Sequence, residues 1–540
     1  MKKLCRKLMA LILAAALLLL SGCTMLDNAR NWFSQLVTQS SMTAFSDMTY
    51  TRPDVKKLDT MAKECTVAAA TARDAMVLAD QVWTFYGAYN DFYTNYNLAS
   101  IHHYQDVTDI YWNQEYTYCM ENASTLEAAL DQLHYALADS PLRMRLEGED
   151  LFGPGYFDPY EGESLWDPTF TALMAEEDRL ISQYNDLSGN MPESYWDMEQ
   201  YYDTYGMQIL EVLAQLVAQR QKIGQYAGYD DYVQFAYDFY YYRDYTPQQA
   251  EAYCAQIRDT LVPMYRQLNN SNFWSMTGNS CTEAQSYGYV RDMAKAMGGK
   301  IQEAFQLMEN LELSDTSYSP NKYNISFEVF LTTYGVPYLF VNPTGWDRDK
   351  LTVAHEFGHF CSDYAAGGSQ AGVDVAEVFS QGMEYLSLCY GQQDATLAKL
   401  KMADSLCIYV EQAAYAAFEQ QLYSLKGDDL SPEGICALYD KIAKEYGFDT
   451  RGYDSREVVD IVHFFLYPQY VISYVVSNDA ALQLYQKEKA QAGAGLQIFT
   501  QSMATEQGYF LAFLTEAGLS SPFAPGRMET VKQTLSQVLQ

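Results

Sequence analysis

The sequence predicts a mainly α-helical protein with one small β-sheet, and three observations support this fold class. Beyond Pro53, apolar residues recur at three- and four-residue intervals over most of the chain, which gives a helix one apolar face. Residues 323–345 instead contain two β-rich runs separated by Gly335 and Pro337, which predicts a small antiparallel sheet. Residues 147–166 are rich in glycine and proline, which indicates a loop or a connection between two lobes.

The first residues predict an export signal. A basic stretch (residues 2–7) precedes an apolar run from Leu8 to Leu20, which is short for a membrane span. The sequence Leu-Ser-Gly-Cys that ends at Cys23 resembles the lipobox of bacterial lipoproteins. This resemblance implies a signal peptide at 1–22, acylation of Cys23, a tether over 23–53 and a lipid anchor outside the cytoplasmic membrane. The alternative is an ordinary secretory signal with an incidental cysteine.

The net charge and the cysteine spacing exclude several classes of partner and site. The formal net charge of −34 argues against nucleic acid as a partner, because a surface this acidic repels phosphate. The eight cysteines that follow Cys23 contain no C-x-x-C pair, which disfavours a cysteine zinc cluster or a redox motif. Most of them lie in helical apolar patterns, which predicts buried free thiols.

Helix signals can be placed on both sides of the predicted connection. Residues 54–93, 124–140 and 205–241 have helical periodicity. Thr246 can cap a further helix, with Pro247 in its first turn. After the predicted strands, Asp347 or Asp349 can cap a helix that runs through residues 350–365.

That last helix contains the sequence "LTVAHEFGHF". Helical geometry places His355 and His359 on one face, about 6 Å apart along the axis, where both imidazoles can reach one Zn²⁺. Glu356 points to the side, where it can hold a water as a general base, which is the H-E-x-x-H arrangement of zinc peptidases. Gly358 leaves room for a substrate backbone beside the metal. The alternative is a solvated helix face with a charge-paired histidine.

A third protein ligand is expected from the next segment. Residues 372–388 contain Glu377 and Glu384, which are seven positions apart and therefore on one helix face. One of them would complete a His₂Glu zinc site, and the other could accept the outer N–H of a ligating histidine. Spacing alone does not say which glutamate has which role.

The segments "PYLFVNPTGWDRDKLTVAHEFGHF" and "VAEVFSQGMEYL" resemble the M3 oligopeptidases, particularly the oligoendopeptidase F branch. The resemblance covers roughly residue 197 to the C-terminus; residues 54 to about 190 are similar only in being helical. It implies a two-lobed helical metallopeptidase with a deep central cleft, an N-terminal lobe at 54–196 and a catalytic region at 197–540. It also implies that Glu377 binds zinc and that Glu384 supports a histidine.

A later segment, "VHFFLYPQYVISYVVS", resembles the family's histidine followed by spaced tyrosines, which face the zinc across the cleft. The resemblance implies that His463, Tyr470 and Tyr474 stabilise the oxyanion formed when water adds to a peptide carbonyl. Tyr467 is a weaker candidate.

Two further expectations come from the residues alone. The strand at residues 338–342, with Tyr338 and Phe340, could align the substrate backbone as an added β-strand. The remaining histidines, which are His102, His103 and His134, are interpreted as structural.

These features together predict a zinc-dependent metalloendopeptidase with one Zn²⁺ per chain, which hydrolyses short unstructured oligopeptides outside the cytoplasmic membrane. The chain is expected to be a monomer that contacts the membrane through its lipid anchor only. Two alternatives remain open. One is a carboxypeptidase or dipeptidyl-carboxypeptidase on the same fold, and the other is a catalytically silent peptide-binding lipoprotein.

Overall fold

The computed structural model describes residues 43–162, 165–192, 197–276, 278–368, 371–450, 453–505 and 507–539. The predicted signal peptide, Cys23 and most of the predicted tether lie outside the described residues. Within them, helices predominate, so the prediction of a mainly α-helical fold is confirmed. No described helix combines the length and the apolar composition needed to cross a membrane.

The helices fall into two groups, one on each side of the sheet in the sequence. The first group is α1 (Val55–Thr71), α2 (Ala75–Gln105), α3 (Ile110–Ala138), α4 (Arg143–Leu146), α5 (Pro168–Ser188), α6 (Met198–Tyr201), α7 (Met207–Tyr226), α8 (Tyr232–Phe239), α9 (Pro247–Asn269), α10 (Phe273–Met276), α11 (Glu283–Met297) and α12 (Gly299–Asn310). The second group is α13 (Arg348–Ala366), α14 (Val373–Tyr390), α15 (Ala395–Cys407), α16 (Ala413–Leu422), α17 (Pro432–Tyr446), α18 (Val462–Leu466), α19 (Ile472–Ala490), α20 (Ala494–Ser502), α21 (Phe510–Glu516) and α22 (Arg527–Leu539).

The start of α9 follows its predicted local signals. The Thr246 hydroxyl accepts a hydrogen bond from the backbone N–H of Gln249 at 3.2 Å. The Gln249 side chain in turn accepts one from the backbone N–H of Thr246 at 2.9 Å. This reciprocal pair is a capping box, and Pro247 occupies the first turn, where its missing N–H has no cost.

The sheet has three strands in the order β1–β3–β2: β1 (Ser314–Asp315), β2 (Ser326–Leu331) and β3 (Val336–Val341). β2 and β3 form the predicted antiparallel hairpin, with Ser326 opposite Val341 and Leu331 opposite Val336. β1 pairs with β3 in the parallel direction. The sheet is therefore mixed rather than purely antiparallel, because a strand of two polar residues leaves no alternating pattern in the sequence.

The folded part of the chain begins earlier than predicted. Residues 43–53 were expected to belong to the tether, but this segment packs against the sheet. The backbone N–H of Phe45 donates to the carbonyl of Leu311 at 2.8 Å, and the Phe45 ring lies 4.3 Å from the ring of Tyr338. A partly buried aromatic side chain that packs on the sheet ties down a segment whose polar composition suggested a linker.

Packing around α13 organises the centre of the molecule. This helix contacts β2 and β3 on one side and α14 on the other, and α14 packs in turn on α19. A continuous core of buried apolar side chains runs through these elements. All eight cysteines that follow Cys23 are free thiols, as predicted from their helical apolar context.

Gly358 allows α13 and α14 to cross closely. A Cβ atom at this position would lie 2.7 Å from the Cα of Ser380 and would overlap the carbonyl oxygen of Phe379. Both of these atoms belong to the backbone of α14, which cannot move aside cheaply. The prediction that Gly358 makes room for a substrate backbone was therefore wrong, since the space is filled by the neighbouring helix.

We expect Gly358→Ala to lower the free energy of unfolding by about 1–3 kcal/mol, because it forces two packed helices apart. Zinc affinity should fall as well, since these helices carry the candidate ligands. The matched control is Gly288→Ala within α11, where a Cβ would meet only the end of the Arg291 side chain at 3.7 Å. That change should be neutral or stabilise by up to about 1 kcal/mol. Chemical denaturation measures both; equal stability of the two variants would contradict the close crossing.

Candidate metal centre

Helix α13 presents His355 and His359 one turn apart on one face, with ring centroids 5.3 Å from each other. The chain enters this helix through a turn held by Asp349, whose carboxylate accepts a hydrogen bond from the backbone N–H of Gly345 at 2.7 Å. Asp347, the other predicted cap, occupies the N-cap position, but its side chain makes no capping bond. The anchored turn fixes where the helix starts and therefore where both imidazoles point.

The structure brings His355, His359 and Glu377 together. One potential ligand atom of each lies within 4.8 Å of the other two, and His355 Nε2 is 3.6 Å from Glu377 Oε2. Two imidazoles and one carboxylate are the donor set of a catalytic zinc site, with a fourth position left for water or substrate. No other group of histidine, cysteine and acidic side chains in the described part of the chain has this arrangement.

Two buried polar atoms test whether a metal fits. Neither His359 Nε2 nor Glu356 Oε2 has a hydrogen-bond partner among the described residues, and Glu356 is only 1% exposed. Leaving a buried polar atom unpaired costs about 1–3 kcal/mol. A metal ion held by His359, with a water held by Glu356, would satisfy both atoms. The residues present therefore fit a zinc ion.

Glu384 supports His355 from behind. Its Oε1 lies 2.9 Å from His355 Nδ1, and its Oε2 accepts a hydrogen bond from the ammonium of Lys401 at 2.9 Å. The Lys401 side chain is fully buried and stacks over the ring of Tyr385. This arrangement keeps the proton of His355 on Nδ1 and directs Nε2 toward Glu377.

The electrostatics of the centre favour a cation. Burial lowers the pKa of His355, but the hydrogen bond to Glu384 and the charges of Glu356 and Glu377 outweigh it and raise the pKa to about 9. The negative charge gathered around His355 that raises this pKa would equally stabilise a metal cation, which would take the place of the proton on Nε2. Burial and the neighbouring His355 lower the pKa of His359 well below its usual value, so this imidazole is neutral and able to bind a metal.

Glu356 has the acidity expected of a general base. Burial raises its pKa to about 7, although the nearby His355 opposes this shift. A carboxyl group whose pKa lies near neutrality can both accept a proton from water and return it to a leaving group. Its position one residue after His355 on α13 keeps it beside the candidate ligands without making it one.

A second wall of the site comes from α18, the start of α19 and the segment between them. The Tyr470 hydroxyl donates to Glu377 Oε1 at 3.4 Å, and the Tyr474 hydroxyl lies 3.4 Å from His463 Nε2. Of the three predicted oxyanion-side residues, Tyr470 thus contacts the candidate ligand Glu377, and the rings of His463 and Tyr474 pack beside Tyr470. Burial raises the pKa of both phenols far above their usual value and lowers that of His463 to about 4, so all three are neutral.

Tyr338 and Phe340 do not lie where the substrate prediction requires. Both belong to β3, the central strand, which is paired on both sides, and they are 1% and 0% exposed. Tyr338 packs against Phe45, and the ring of Phe340 stacks on that of Phe327. A peptide cannot add to a strand that has neighbours on both sides, so their predicted substrate contact was wrong. The edge strands of the described sheet are β1 and β2.

The other histidines have the structural contacts predicted for them. His134 Nε2 lies 2.7 Å from the Tyr86 hydroxyl, and both side chains are buried in the core of the N-terminal lobe. The rings of His102 and His103 stack on aromatic side chains of α3. Tyr467, the weaker candidate, packs beside Tyr470 and Tyr474.

Sequence reasoning missed Lys401 and a small cavity. Lys401 lies on α15, 17 positions after Glu384, and no motif connects the two. A cavity of about 80 Å³ adjoins His355 and Glu384, with Gln381, Gln412 and Tyr474 also in its lining. This volume holds a small side chain and is well below the few hundred Å³ of a typical ligand pocket.

Comparison with solved structures defines the class of fold. The chain shares its fold with PZ peptidase A in complex with an inhibitor, with a TM-score of 0.77, 20% identity and coverage of 92% of this chain and 99% of that one. A Bacillus anthracis protein whose structure carries the name oligoendopeptidase F matches with a TM-score of 0.72, 19% identity and coverage of 93% and 98%. A Pyrococcus furiosus carboxypeptidase matches with a TM-score of 0.51, 10% identity and coverage of 91% of this chain and 100% of that one. The predicted two-lobed helical fold is thereby confirmed.

The N-terminal part gives a more particular result. Residues 45–163 match the Peptidase M3 N-terminal domain family. This match lies in the lobe where sequence reasoning found only helical character, and it begins within the segment predicted as tether. No curated protein matches the sequence significantly. The domain match and the shared fold support a peptidase of the M3 type.

We expect Lys401→Met to weaken zinc binding by about 10- to 100-fold, because it removes the support of a residue that orients a metal ligand. Burial alone would raise the pKa of Glu384, but Lys401 and His355 lower it below its usual value. Without the ammonium, Glu384 becomes protonated at a higher pH and stops accepting the His355 proton. Zinc should therefore leave the variant at a higher pH than the wild type when both are acidified.

The matched control for that experiment is Lys322→Met. Lys322 is also a buried lysine paired with a carboxylate, at 2.9 Å from Asp315, but it lies at the sheet and contacts no candidate ligand. Metal analysis after dialysis across a pH series compares the two variants. Identical zinc release from Lys401→Met and Lys322→Met would show that Lys401 does not act on the metal centre.

Proposed function

We propose that the protein is a zinc-dependent endopeptidase that hydrolyses short, unstructured oligopeptides outside the cytoplasmic membrane. The observation that carries the proposal is the convergence of His355, His359 and Glu377 beside Glu356, whose carboxylate has one oxygen without a partner. Such a set is built for attack by water on a peptide carbonyl, which needs a metal, a general base and an oxyanion donor in one place.

The chain's own residues have distinct roles in this reaction. His355, His359 and Glu377 hold the metal, which, when bound, supplies the Lewis acidity that polarises a carbonyl and acidifies water. Glu356 accepts the proton of the attacking water and passes it to the leaving amine. Tyr474 is a neutral phenol close enough to the ligands to donate a hydrogen bond to the developing oxyanion. His463 orients the Tyr474 hydroxyl.

The burial of the candidate metal centre limits the size of substrate that can reach it. The candidate ligands and facing phenols are largely enclosed, and the adjoining cavity of about 80 Å³ admits only a small group. A folded protein cannot present a scissile bond there, whereas a flexible peptide can once the surrounding elements separate. Short unstructured peptides are therefore the proposed substrates.

An endopeptidase is favoured over a carboxypeptidase by the charges around the cavity. An enzyme that removes C-terminal residues needs a cation for the free carboxylate of its substrate. Arg348 lines the cavity but forms an ion pair with Asp404, and Lys401 is committed to Glu384. The carboxypeptidase alternative rests on the fold shared with the Pyrococcus furiosus protein. Comparing cleavage of peptides with free and amidated C-termini separates the two modes.

The location is proposed from the sequence. Basic and apolar residues followed by a cysteine at position 23 resemble a lipoprotein signal, and the attachment would be through acyl chains on Cys23. Metabolic labelling with a fatty acid tests this for the wild type and for Cys23→Ala. Labelling of both, or of neither, would rule out a lipid anchor at this cysteine.

The proposed reaction is tested with the purified protein. Zinc is measured by mass spectrometry, and a pool of quenched fluorescent peptides of increasing length is the substrate. We expect about one zinc per chain and internal cleavage of the shorter members. Stoichiometric zinc and peptide binding without any product would instead identify a catalytically silent peptide-binding protein.

A further inference from the structure

The segment that carries His463, Tyr470 and Tyr474 is bent sharply before Tyr470. Gln469 has φ +68°, a left-handed backbone conformation that residues other than glycine rarely adopt. Such a conformation persists only where its surroundings hold it. The contacts of Gln469 and its neighbours therefore decide where the two phenols point.

Arg243 holds this bend from two sides. Its Nη1 donates to the carbonyl of Gln469 at 2.9 Å, and its Nη2 donates to the hydroxyl of Ser473 at 2.8 Å. Gln469 immediately precedes Tyr470, and Ser473 immediately precedes Tyr474. One planar guanidinium thus fixes a point beside each phenol and sets the spacing between them.

The guanidinium is itself immobilised. The Arg243 side chain is fully buried and lies over the rings of Tyr237 and Tyr241, each 4.4 Å from its centroid. Its Nε is 3.4 Å from Asp374 Oδ2, an oxygen that also accepts a hydrogen bond from Tyr245 at 2.8 Å. The cation–π contacts and the ion pair together hold the Arg243 guanidinium in a single orientation.

The ion pair connects the bend to the metal ligands. Asp374 lies in the first turn of α14, three residues before Glu377 on the same helix. Arg243 therefore links the helix that carries Glu377 to the segment that carries Tyr470 and Tyr474. The hydrogen bond from Tyr470 to Glu377 is a second, direct contact between that segment and the same helix.

Other groups hold the same bend without reaching both phenols. Glu419 accepts a hydrogen bond from the backbone N–H of Gln469 at 2.8 Å, and Tyr241 donates to the carbonyl of Pro468 at 2.9 Å. Arg220 donates to the carbonyl of Phe464 at 2.8 Å, near His463. Arg243 alone among these residues has hydrogen bonds on both sides of Tyr470.

We propose that Arg243 is a positioning residue of the peptidase reaction, whose guanidinium sets the hydroxyl of Tyr470 against Glu377 and that of Tyr474 against His463. This inference rests on the proposed function. Lysine cannot replace the arginine, because a single ammonium does not reproduce a planar fork with two fixed donors.

The test compares Arg243→Lys with Arg527→Lys. Arg527 is a buried arginine whose Nε lies 2.8 Å from both carboxylate oxygens of Asp479, and Asp479 belongs to α19, the helix of Tyr474. The control therefore disturbs the same helix away from the phenols. We expect Arg243→Lys to lower kcat by about 10- to 100-fold, the scale of a small misplacement of reacting groups. Its KM and zinc content should stay close to those of Arg527→Lys.

A double-mutant cycle separates positioning from general damage. Removing an oxyanion donor costs about 10²- to 10³-fold in kcat, so Tyr474→Phe should have that effect in the wild type. In the Arg243→Lys background the same change should cost less than about 10-fold, because the hydroxyl is already misplaced. An equal cost in both backgrounds would overturn the proposal.

The position of the two phenols can also be measured without any catalytic activity, which tests the role of Arg243 independently of the proposed function. Hydroxyl-radical footprinting measures the oxidation of Tyr470 and Tyr474, which are 0% and 2% exposed in the wild type. We expect oxidation of both to rise several-fold in Arg243→Lys and to stay unchanged in Arg527→Lys. Unchanged protection in Arg243→Lys would overturn the proposal even if peptides are cleaved. A wild type that cleaves no peptide would refute the proposed function and leave this readout valid.

If Arg243→Lys fails to fold, Ser473→Ala takes its place, since it removes one of the two hydrogen bonds from the fork. We then expect a smaller loss of kcat in the same direction and increased oxidation of Tyr474. Wild-type kcat together with wild-type protection in Ser473→Ala would contradict the assignment.

Discussion

Glu356→Gln is expected to lower kcat for peptide cleavage by about 10²- to 10⁴-fold, the contribution typical of a positioned general base. The amide has almost the shape of the carboxylate but cannot accept the proton of the attacking water. Because Glu356 is not among the three candidate ligands, the variant should keep its zinc. Its KM should also change little, since the substrate contacts remain. Steady-state kinetics with a quenched peptide, together with metal analysis, measure these quantities.

The control is Glu309→Gln, at an exposed position near the end of α12. It makes the same chemical change on the surface and should leave kcat, KM and zinc content at wild-type values. Turnover by Glu356→Gln equal to that of the control would remove Glu356 from the mechanism. Loss of zinc from Glu356→Gln would instead assign this carboxylate to the metal.

His359→Ala should abolish zinc binding and, with it, peptide cleavage. The change removes one of three protein donors, and the remaining pair cannot complete the donor set of a catalytic zinc site. Zinc at about 1,000 times its Kd stabilises the wild type by about 4 kcal/mol, because the metal binds only the folded chain. The free energy of unfolding of His359→Ala should hardly change when zinc is added. Thermal unfolding with zinc and with a chelator, alongside metal analysis, gives both results.

His134→Gln is the matched histidine control. His134 is fully buried, and Nε2 lies 2.7 Å from the Tyr86 hydroxyl, far along the chain from the candidate ligands. Its replacement should cost about 1–3 kcal/mol of stability through the lost buried hydrogen bond. Zinc content should remain at one per chain. A zinc-dependent rise in melting temperature in His359→Ala as large as in His134→Gln would exclude His359 as a ligand.

Several parts of the structure could be predicted from short stretches of sequence because their causes are local. Helical periodicity, the capping signals around Thr246 and the two β-rich runs each depend on neighbours within a few residues. The pair of histidines in α13 is also local, since one helical turn sets their spacing.

The roles of Glu377 and Glu384 depend on packing. Both lie on one face of α14, and the resemblance to M3 oligopeptidases already implied which one binds zinc. In the structure Glu384 meets the Lys401 ammonium and His355 Nδ1, while Glu377 lies beside His355 Nε2. Lys401 comes from a separate helix, so spacing within α14 could not reveal it.

Two failed predictions have the same origin. Gly358 was interpreted as space for a substrate because its sequence position is beside a ligand, but the adjacent backbone of α14 fills that space. Tyr338 and Phe340 were predicted to border the substrate because a peptide could add to their strand. The short strand β1 pairs on the second side of β3, and the rings of Phe45 and Phe327 pack on those of Tyr338 and Phe340.

By itself, the sequence determined that this chain is helical, that one helix carries a histidine pair suited to zinc, and that a tyrosine-rich segment follows. Tertiary structure placed Lys401 beside Glu384, and it brought the buried Arg243 against the bend before Tyr470. The reason is the sequence separation of the contacting residues, because periodicity and motifs reflect only contacts within one or two helical turns. Arg243 and Ser473, by contrast, are 230 positions apart and meet only when the helices pack.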